Sequence, residues 1–181
     1  MVQHETQQQK FMRLLAPTQE PLERFALFLT RNRDEARDIV SETLLIAYEK
    51  LDTLREEIAF PSYLMTIARR TFYNKRTRTK THDHLEAEEM DELFGDSISP
   101  EEAMDVTILY EALDRLPAAQ KEAIIMAEIM GFSHKEIQKV QGGTVTGVKV
   151  RIFRAKRQLA KILGAPTVDK KVVVELAESV A

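Results

Sequence analysis

Lysine and arginine crowd into two stretches of the 181-residue chain that contain no acidic residue, residues 58–82 and residues 137–168. Single-sign blocks of this kind are the electrostatic signature of a polyanion partner. A solvated helix face, which is the alternative for each block, normally mixes both signs so that i,i+4 ion pairs form. The chemistry that these residues predict is phosphate binding.

No catalytic or metal-binding pattern accompanies the cations. The chain has no cysteine and contains no HExxH, P-loop, GxSxG or GxGxxG motif. Two histidines flank Asp83 in the sequence His82-Asp83-His84, a weak metal motif inside an acidic stretch. We therefore expect no enzyme, no cofactor and no metal site.

Composition favours a compact helical protein of the cytoplasm. The chain is 44% apolar and 30% charged, with only six glycines and six prolines, which is too few turn residues for a many-stranded fold. No apolar run approaches the ~20 residues that a membrane span needs, and the N-terminus lacks the order of a signal peptide. The absence of cysteine agrees with a reducing compartment. We expect a cytoplasmic protein without a membrane span.

Acidic residues separate the two basic stretches. Twelve of the 29 acidic residues lie in residues 81–114, which contain no lysine or arginine, although the net charge is only −3. The sequence predicts an all-α fold in which two small helical domains, residues 8–80 and 99–164, are joined by an acidic linker, residues 81–98. No role is assigned to the tail, residues 165–181. An acidic linker can compete with DNA for a basic groove, so autoinhibition by this linker is a hypothesis.

Apolar spacing predicts the helices of the first domain. Residues 22–29, 36–51 and 60–71 each carry apolar side chains at helical intervals, and a shorter helix around residues 11–15 precedes them. Either Asn32 or Asp34 is expected to cap the helix that follows it.

The second domain ends in a helix-turn-helix pattern. A short helix, a glycine-containing turn and a longer basic helix follow one another, which is typical of that motif. The boundary signals are, in chain order, Ser99 with Pro100, Pro117, Gly131, Ser133 with Glu136, Gly142 with Gly143, Thr144, and Gly164 with Pro166.

The last predicted helix has one apolar face and one cationic face. Val148, Ile152, Ala155 and Leu159 share the side expected to pack on the domain. The second helix of the motif enters the major groove with its N-terminal part, so the opposite side is the candidate for base and phosphate contacts. The candidates are Thr144, Thr146, Lys149, Val150, Arg151, Phe153, Arg154 and Arg157, with Arg151, Arg157, Lys156 and Lys161 suited to phosphates. A contact within the chain is the alternative for Phe153.

Aromatic residues lie among the cations of the first domain. Tyr63, Phe72 and Tyr73 occur in the same segment as Arg69 and Arg76. Stacking of an unpaired base on an aromatic ring contributes ~1–3 kcal/mol, which suits a site that captures bases from an opening duplex. Core packing is the alternative for each ring.

Two parts of the chain resemble bacterial sigma factors of the extracytoplasmic-function (ECF) group. Residues 29–48 and the run Phe60-Pro61-Ser62-Tyr63-Leu64 are similar to region two of that family. Leu116-Pro117, Gly131-Phe132-Ser133, Glu136-Ile137, Val148-Lys149-Val150-Arg151 and Arg154-Ala155 are similar to region four. The resemblance spans about residues 11–163. It implies a monomeric sigma factor that binds core RNA polymerase and promoter DNA and directs promoter recognition, melting and transcription initiation. By analogy, an anti-sigma factor is expected as a further partner.

The resemblance also implies which residues contact each partner. The helix from Thr144 is expected to bind the minus-thirty-five element. The expected polymerase-binding residues are Asp38, Ile39, Ser41, Glu42 and Leu45. The expected minus-ten residues are Tyr63, Arg69, Arg70, Tyr73, Asn74, Lys75 and Arg76. Tyr63 stands where the family usually has tryptophan, which leaves the promoter preference open.

Two other functions remain as alternatives on the sequence. One is a stand-alone helix-turn-helix DNA-binding regulator, which would bind duplex tightly without polymerase and usually dimerise on a palindrome. No heptad or obvious dimerisation helix occurs in the sequence. The other is a protein-only module that mimics a sigma factor and titrates a regulator.

Overall fold

The computed structural model describes residues 5–78 and 100–164, and for residues 100–106 the helical backbone alone. All regular elements in these ranges are helices, so the all-α prediction is confirmed there. The chain divides into two units, Met1–His82 and Asp83–Ala181. The predicted acidic linker, its autoinhibitory role, the cap at Ser99 and the tail lie outside the described residues. None of the described helices is long and apolar enough to cross a bilayer.

Four helices form the first unit in the part that the structure describes. Asn32, and not Asp34, caps the third of them, since its side chain accepts the backbone N–H of Glu35 at 2.9 Å. The helices are α1 Gln7–Leu15, α2 Gln19–Thr30, α3 Arg33–Glu49 and α4 Phe60–Arg78, with single 3₁₀ turns at Leu51–Thr53 and Glu57–Ala59 between α3 and α4.

The apolar faces of α2, α3 and α4 form the core of this unit. Phe25 of α2, Ile39 of α3 and Leu64 of α4 are at most 2% exposed. Each side chain of this size stabilises the fold by about 1.5–3 kcal/mol when it is removed from water. Helix α1 joins the core through Phe11, whose ring lies edge-on to that of Phe60 at 5.8 Å between centroids.

An ion-pair cluster lies on the exposed side of α1. The guanidinium of Arg13 donates to Glu5 at 2.8 Å and to Glu57 at 2.9 Å, and the ammonium of Lys10 lies 3.2 Å from Glu57. Hydrogen bonds from Arg13 lower the pKa of both carboxyl groups below its ordinary value. Since Glu57 belongs to the connection between α3 and α4, the cluster ties α1 to that connection.

Arg13→Gln is expected to lower the thermal midpoint at pH 7 by about a few degrees at most, because exposed pairs stabilise little. Both carboxyl pKa values are lowered in the folded protein, so the pairing stabilises above the ordinary value of 4.5. That stabilisation is lost as the pH falls through the folded pKa. Thermal unfolding of wild type and variant at pH 7 and pH 3 measures this. Arg55→Gln, elsewhere on the surface, is the control, and an equal loss for Arg13→Gln at both pH values would contradict the prediction.

Four helices and one π-helical turn form the described part of the second unit. The helix expected to run to Met130 instead changes to a π-helical turn and ends before Gly131, whose φ is 70°. In the first of these helices Leu109 is buried, whereas its neighbour Ile108 is 45% exposed. The elements are α5 Pro100–Asp114, α6 Ala118–Ile124, the π-helical turn Ile125–Ile129, α7 His134–Gln141 and α8 Val145–Ile162.

Helices α7 and α8 form the predicted helix-turn-helix. Ser133 and Glu136 make the expected capping box at the start of α7. The hydroxyl of Thr144 accepts the backbone N–H of Gly147 at 3.0 Å and so caps α8. Gly142 and Gly143 between the helices have φ of 77° and 82°, a conformation that other residues rarely adopt. The turn therefore depends on both glycines.

The predicted apolar face of α8 packs on its own unit. Val148 and Leu159 are fully buried, and Ile152 is 6% exposed. On the neighbouring helices, Ile124 of α6 and Ile137 of α7 are buried too. This packing fixes which side of α8 is turned to solvent.

Candidate nucleic-acid and polymerase interfaces

The outward face of α8 combines cations with exposed apolar side chains. Phe153 is 66% exposed and Val150 is 40% exposed, so the described part of the chain does not cover Phe153. The exposed candidates beside them are Thr144, Thr146, Lys149, Arg154 and Arg157. A ring and a branched apolar group among cations can contact a thymine methyl while the cations bind guanine edges and phosphates.

Two cations of α8 face the domain instead. Lys156 lies 3.0 Å from a carboxylate oxygen of Glu128, which is in the π-helical turn and has a side chain only 10% exposed. Arg151 donates to the side-chain oxygen of Gln141 at 2.9 Å. Of the predicted phosphate-binding residues, these two are therefore engaged in contacts within the second unit.

Gln141 joins three helices and was not singled out by the sequence. Its amide nitrogen donates to the carboxylate of Glu122 and to the carbonyl of Ala119, both at 3.0 Å, while its oxygen accepts from Arg151. Glu122 is 1% exposed. The only sequence signal for this contact is that Glu122 directly precedes the apolar run of residues 123–127. Because 19 residues separate Glu122 from Gln141, sequence spacing does not indicate that the two side chains meet.

Helix α4 carries an aromatic and cationic face. The guanidinium of Arg69 lies 4.9 Å from the ring centroid of Tyr73, and that of Arg76 lies 5.4 Å from the ring of Phe72. The two rings meet edge-on at 5.2 Å. Phe72 is buried, whereas Tyr73 is half-buried. Two other minus-ten candidates, Arg70 and Asn74, are exposed on the same helix.

Tyr63 lies at the start of α4 and is half-buried. Its hydroxyl donates to the carbonyl oxygen of Lys50 at 3.2 Å, and its ring centroid lies 6.3 Å from that of Phe60. The sequence also missed Ile58, which is 82% exposed in the connection that precedes α4. An isoleucine directly after the charged run Arg55-Glu56-Glu57 was the signal available for it.

Lys75, a candidate for binding the minus-ten element, lies against two residues that are candidates for binding polymerase. The ammonium of Lys75 on α4 lies 3.3 Å from the carboxylate of Glu42 and 3.9 Å from that of Asp38, both on α3. All three side chains are partly exposed, so salt screens these pairs and they contribute little to stability.

The predicted polymerase-binding residues divide between surface and core. Asp38, Ser41, Glu42 and Leu45 are exposed on α3, and Leu45 retains 59% of its accessible surface. Ile39, in contrast, is 2% exposed. The predicted docking surface therefore lacks the Ile39 side chain, which lies in the core of the first unit.

In the described ranges, 5–78 and 100–164, no three histidine or acidic side chains cluster so that they could hold a metal ion. The motif His82-Asp83-His84 lies outside those ranges.

Two family models match this chain. The model of Sigma-70 region 2 matches residues 14–82, which include α2, α3 and α4, and the model of Sigma-70, region 4 matches residues 107–159, which include α6, α7 and most of α8. The ECF RNA polymerase sigma factor EcfG of Rhodopseudomonas palustris is 33% identical over 149 residues, which cover 78% of each chain. This chain belongs to the ECF group of RNA polymerase sigma factors.

Other relatives agree with this assignment. The sigma factor is 30% identical to RNA polymerase sigma factor SigV of Bacillus subtilis over 135 residues, 73% of this chain and 78% of SigV. Its fold matches that of the sigma factor RpoE of Bartonella quintana, solved in complex with the anti-sigma factor NepR. That match has a TM-score of 0.69 and 29% identity, and it covers 86% of this chain and 98% of RpoE.

The family assignment supports a sigma factor over a stand-alone regulator. ECF sigma factors direct RNA polymerase to promoters and start transcription, and they belong to a family of non-enzymatic initiation factors. The stand-alone regulator is not favoured. In this sigma factor, α3 and α4 lie within region two, and the helix-turn-helix lies within region four.

Proposed function

We propose that this sigma factor reads the minus-thirty-five element with the outward face of α8. The observation that carries the proposal is the exposure of Phe153 and Val150 among cations on a recognition helix that has no acid. Lys149 and Arg154 contact base edges, and Arg157 contacts a phosphate. Thr144 and Thr146 lie at the N-terminus of the helix, where a phosphate is also favoured.

We propose that the α4 face binds the minus-ten element as it opens. Arg70, Asn74 and Arg76 are exposed and provide the backbone contacts. Tyr73, with Arg69 over its ring, offers a stacking platform for an unpaired base. Tyr63 is held by the Lys50 carbonyl at the other end of the helix. Lys75 contributes to DNA binding when a phosphate replaces the α3 carboxylates as its ion-pair partner.

We propose that the exposed face of α3 docks on core RNA polymerase. Leu45 supplies an apolar anchor, and Asp38, Ser41 and Glu42 surround it with polar groups. A buried apolar centre with a polar rim is the usual anatomy of a protein interface. Such docking brings the neighbouring α4 face to the DNA.

The sigma factor acts in the cytoplasm as a monomeric specificity subunit without catalytic activity of its own. Residues 8–80 and 99–164 are its functional domains, joined by residues 81–98. Because the Bartonella relative was solved with an anti-sigma factor, we propose an anti-sigma partner for this chain as well.

Run-off transcription tests the proposed function directly. Core polymerase that lacks any sigma factor is incubated with a library of genomic fragments, with and without this chain, and the RNA 5′ ends are mapped. We expect a discrete set of new start sites that share two sequence elements. Failure to gain any start site would overturn the proposal, and specific duplex binding by the chain alone would favour a stand-alone regulator.

A further inference from the structure

We propose that Arg151 is a positioning residue, which sets the angle of the recognition helix through Gln141 and makes no phosphate contact. The inference rests on the proposed function and deepens it, because it separates the cations of α8 that hold DNA from one that holds the helix. It also revises the prediction that Arg151 binds phosphate.

A chain of hydrogen bonds connects the recognition helix α8 to α6 through Gln141 at the end of α7. The Nη1 atom of Arg151 donates to Oε1 of Gln141 at 2.9 Å. The Nε2 atom of Gln141 donates to Oε2 of Glu122 and to the carbonyl oxygen of Ala119, each at 3.0 Å. One amide thus connects α8, α7 and α6 across the motif.

Electrostatics favours this arrangement. A carboxylate as buried as Glu122 requires hydrogen-bond donors and a nearby positive charge. The Gln141 amide donates one N–H to the Glu122 carboxylate and one to the Ala119 carbonyl, and its oxygen accepts from the Arg151 guanidinium, so both ends of its dipole are satisfied. Moving Arg151 to a phosphate would leave the Gln141 oxygen without this donor.

The turn between α7 and α8 is shaped around the same guanidinium. A Cβ atom added at Gly143 would lie 3.2 Å from Nη2 of Arg151, and Gly143 has a φ of 82°. The Gly143 carbonyl oxygen accepts a hydrogen bond from the side chain of Gln138 at 3.0 Å. The Arg151 guanidinium therefore lies close to the turn from which α8 begins.

Salt dependence distinguishes a positioning cation from a phosphate-binding one. Each phosphate contact contributes about 0.9 to the slope of log affinity against log salt on duplex DNA. Arg151→Gln removes the charge but keeps an amide donor for Gln141. We expect it to weaken binding by about threefold or less with an unchanged slope. Arg157→Ala is expected to reduce the magnitude of the slope by about 0.9.

Gln141→Ala leaves every cation of α8 in place while cutting the contact chain. We expect it to lower promoter affinity about 10-fold, again with an unchanged salt slope. Adding Arg151→Ala to it is expected to cost little more, because the two residues act as one unit. Gln158→Ala is the matched control, since that amide joins α8 to the Arg115 carbonyl at 3.2 Å away from the turn.

The experiment uses holoenzyme assembled from core polymerase and the full chain. Its probe is the genomic fragment with the strongest new start site in the run-off assay, titrated at several salt concentrations, with thermal unfolding of each variant alongside. A slope reduced by about 0.9 in Arg151→Gln, or unchanged affinity in Gln141→Ala, would overturn the inference. An equal affinity loss in Gln158→Ala would also overturn it, as a general structural effect. If wild type yields no start site, the proposed function fails instead.

Discussion

Replacing Arg154 with alanine is expected to lower the affinity of the holoenzyme for its minus-thirty-five element by about 5- to 150-fold. The side chain is exposed on the outward face of α8, next to Phe153. A bidentate contact of arginine with a guanine edge contributes about 1–3 kcal/mol of discrimination. Loss of that contact should also relax sequence preference at one position of the element. Competition binding with base-substituted fragments measures both effects.

The double variant Lys149→Ala, Arg154→Ala extends this prediction. We expect its affinity loss to be about the product of the single losses if the two side chains read separate bases. The control is Arg115→Ala, which removes one exposed cation of the same unit outside the helix-turn-helix. Retained affinity and sequence preference in Arg154→Ala would show that the base-reading role is wrong.

Leu45→Asp is expected to abolish stable binding to core polymerase and, with it, transcription from every promoter of this sigma factor. Leu45 is 59% exposed on α3, where an apolar side chain has no role in the core. Central apolar anchors of interfaces typically contribute 2 kcal/mol or more, which corresponds to an affinity loss of about 30-fold. Burial of an unpaired carboxylate at the same place adds to that loss. Affinity for core polymerase is measured by titration with labelled protein.

Met12→Asp is the matched control for this variant. Met12 is also an exposed apolar residue of the first unit, at 57%, but it lies on α1. We expect Met12→Asp to keep core binding and Leu45→Asp to keep its thermal midpoint. Equal losses of core binding in the two variants would indicate a general effect of added negative charge and would contradict the role given to α3.

The sequence was most informative about features that a single residue determines locally, such as the start of a helix. Ser133 with Glu136 predicted the capping box, and Thr144 predicted the start of the recognition helix, because a cap acts on N–H groups within three residues. The apolar spacing of α8 likewise predicted which face packs and that Phe153 lies opposite. Sequence and structure differ at residues 125–129, where a π-helical turn replaces the end of the predicted α-helix, since one turn is too short for its apolar spacing to distinguish the two forms.

Local patterns and charge determined the helices, most of their ends, the helix-turn-helix and the positions of the two cationic stretches, because these depend on neighbours within one or two turns. Tertiary structure alone decided which side chains are buried and which cations form contacts within the protein. It buries Ile39 while leaving Leu45 exposed, pairs Lys75 with Glu42, and places Arg151 against Gln141. These outcomes depend on side chains that helix packing brings together from distant parts of the chain. A linear pattern of charges does not indicate how far apart such side chains lie in space.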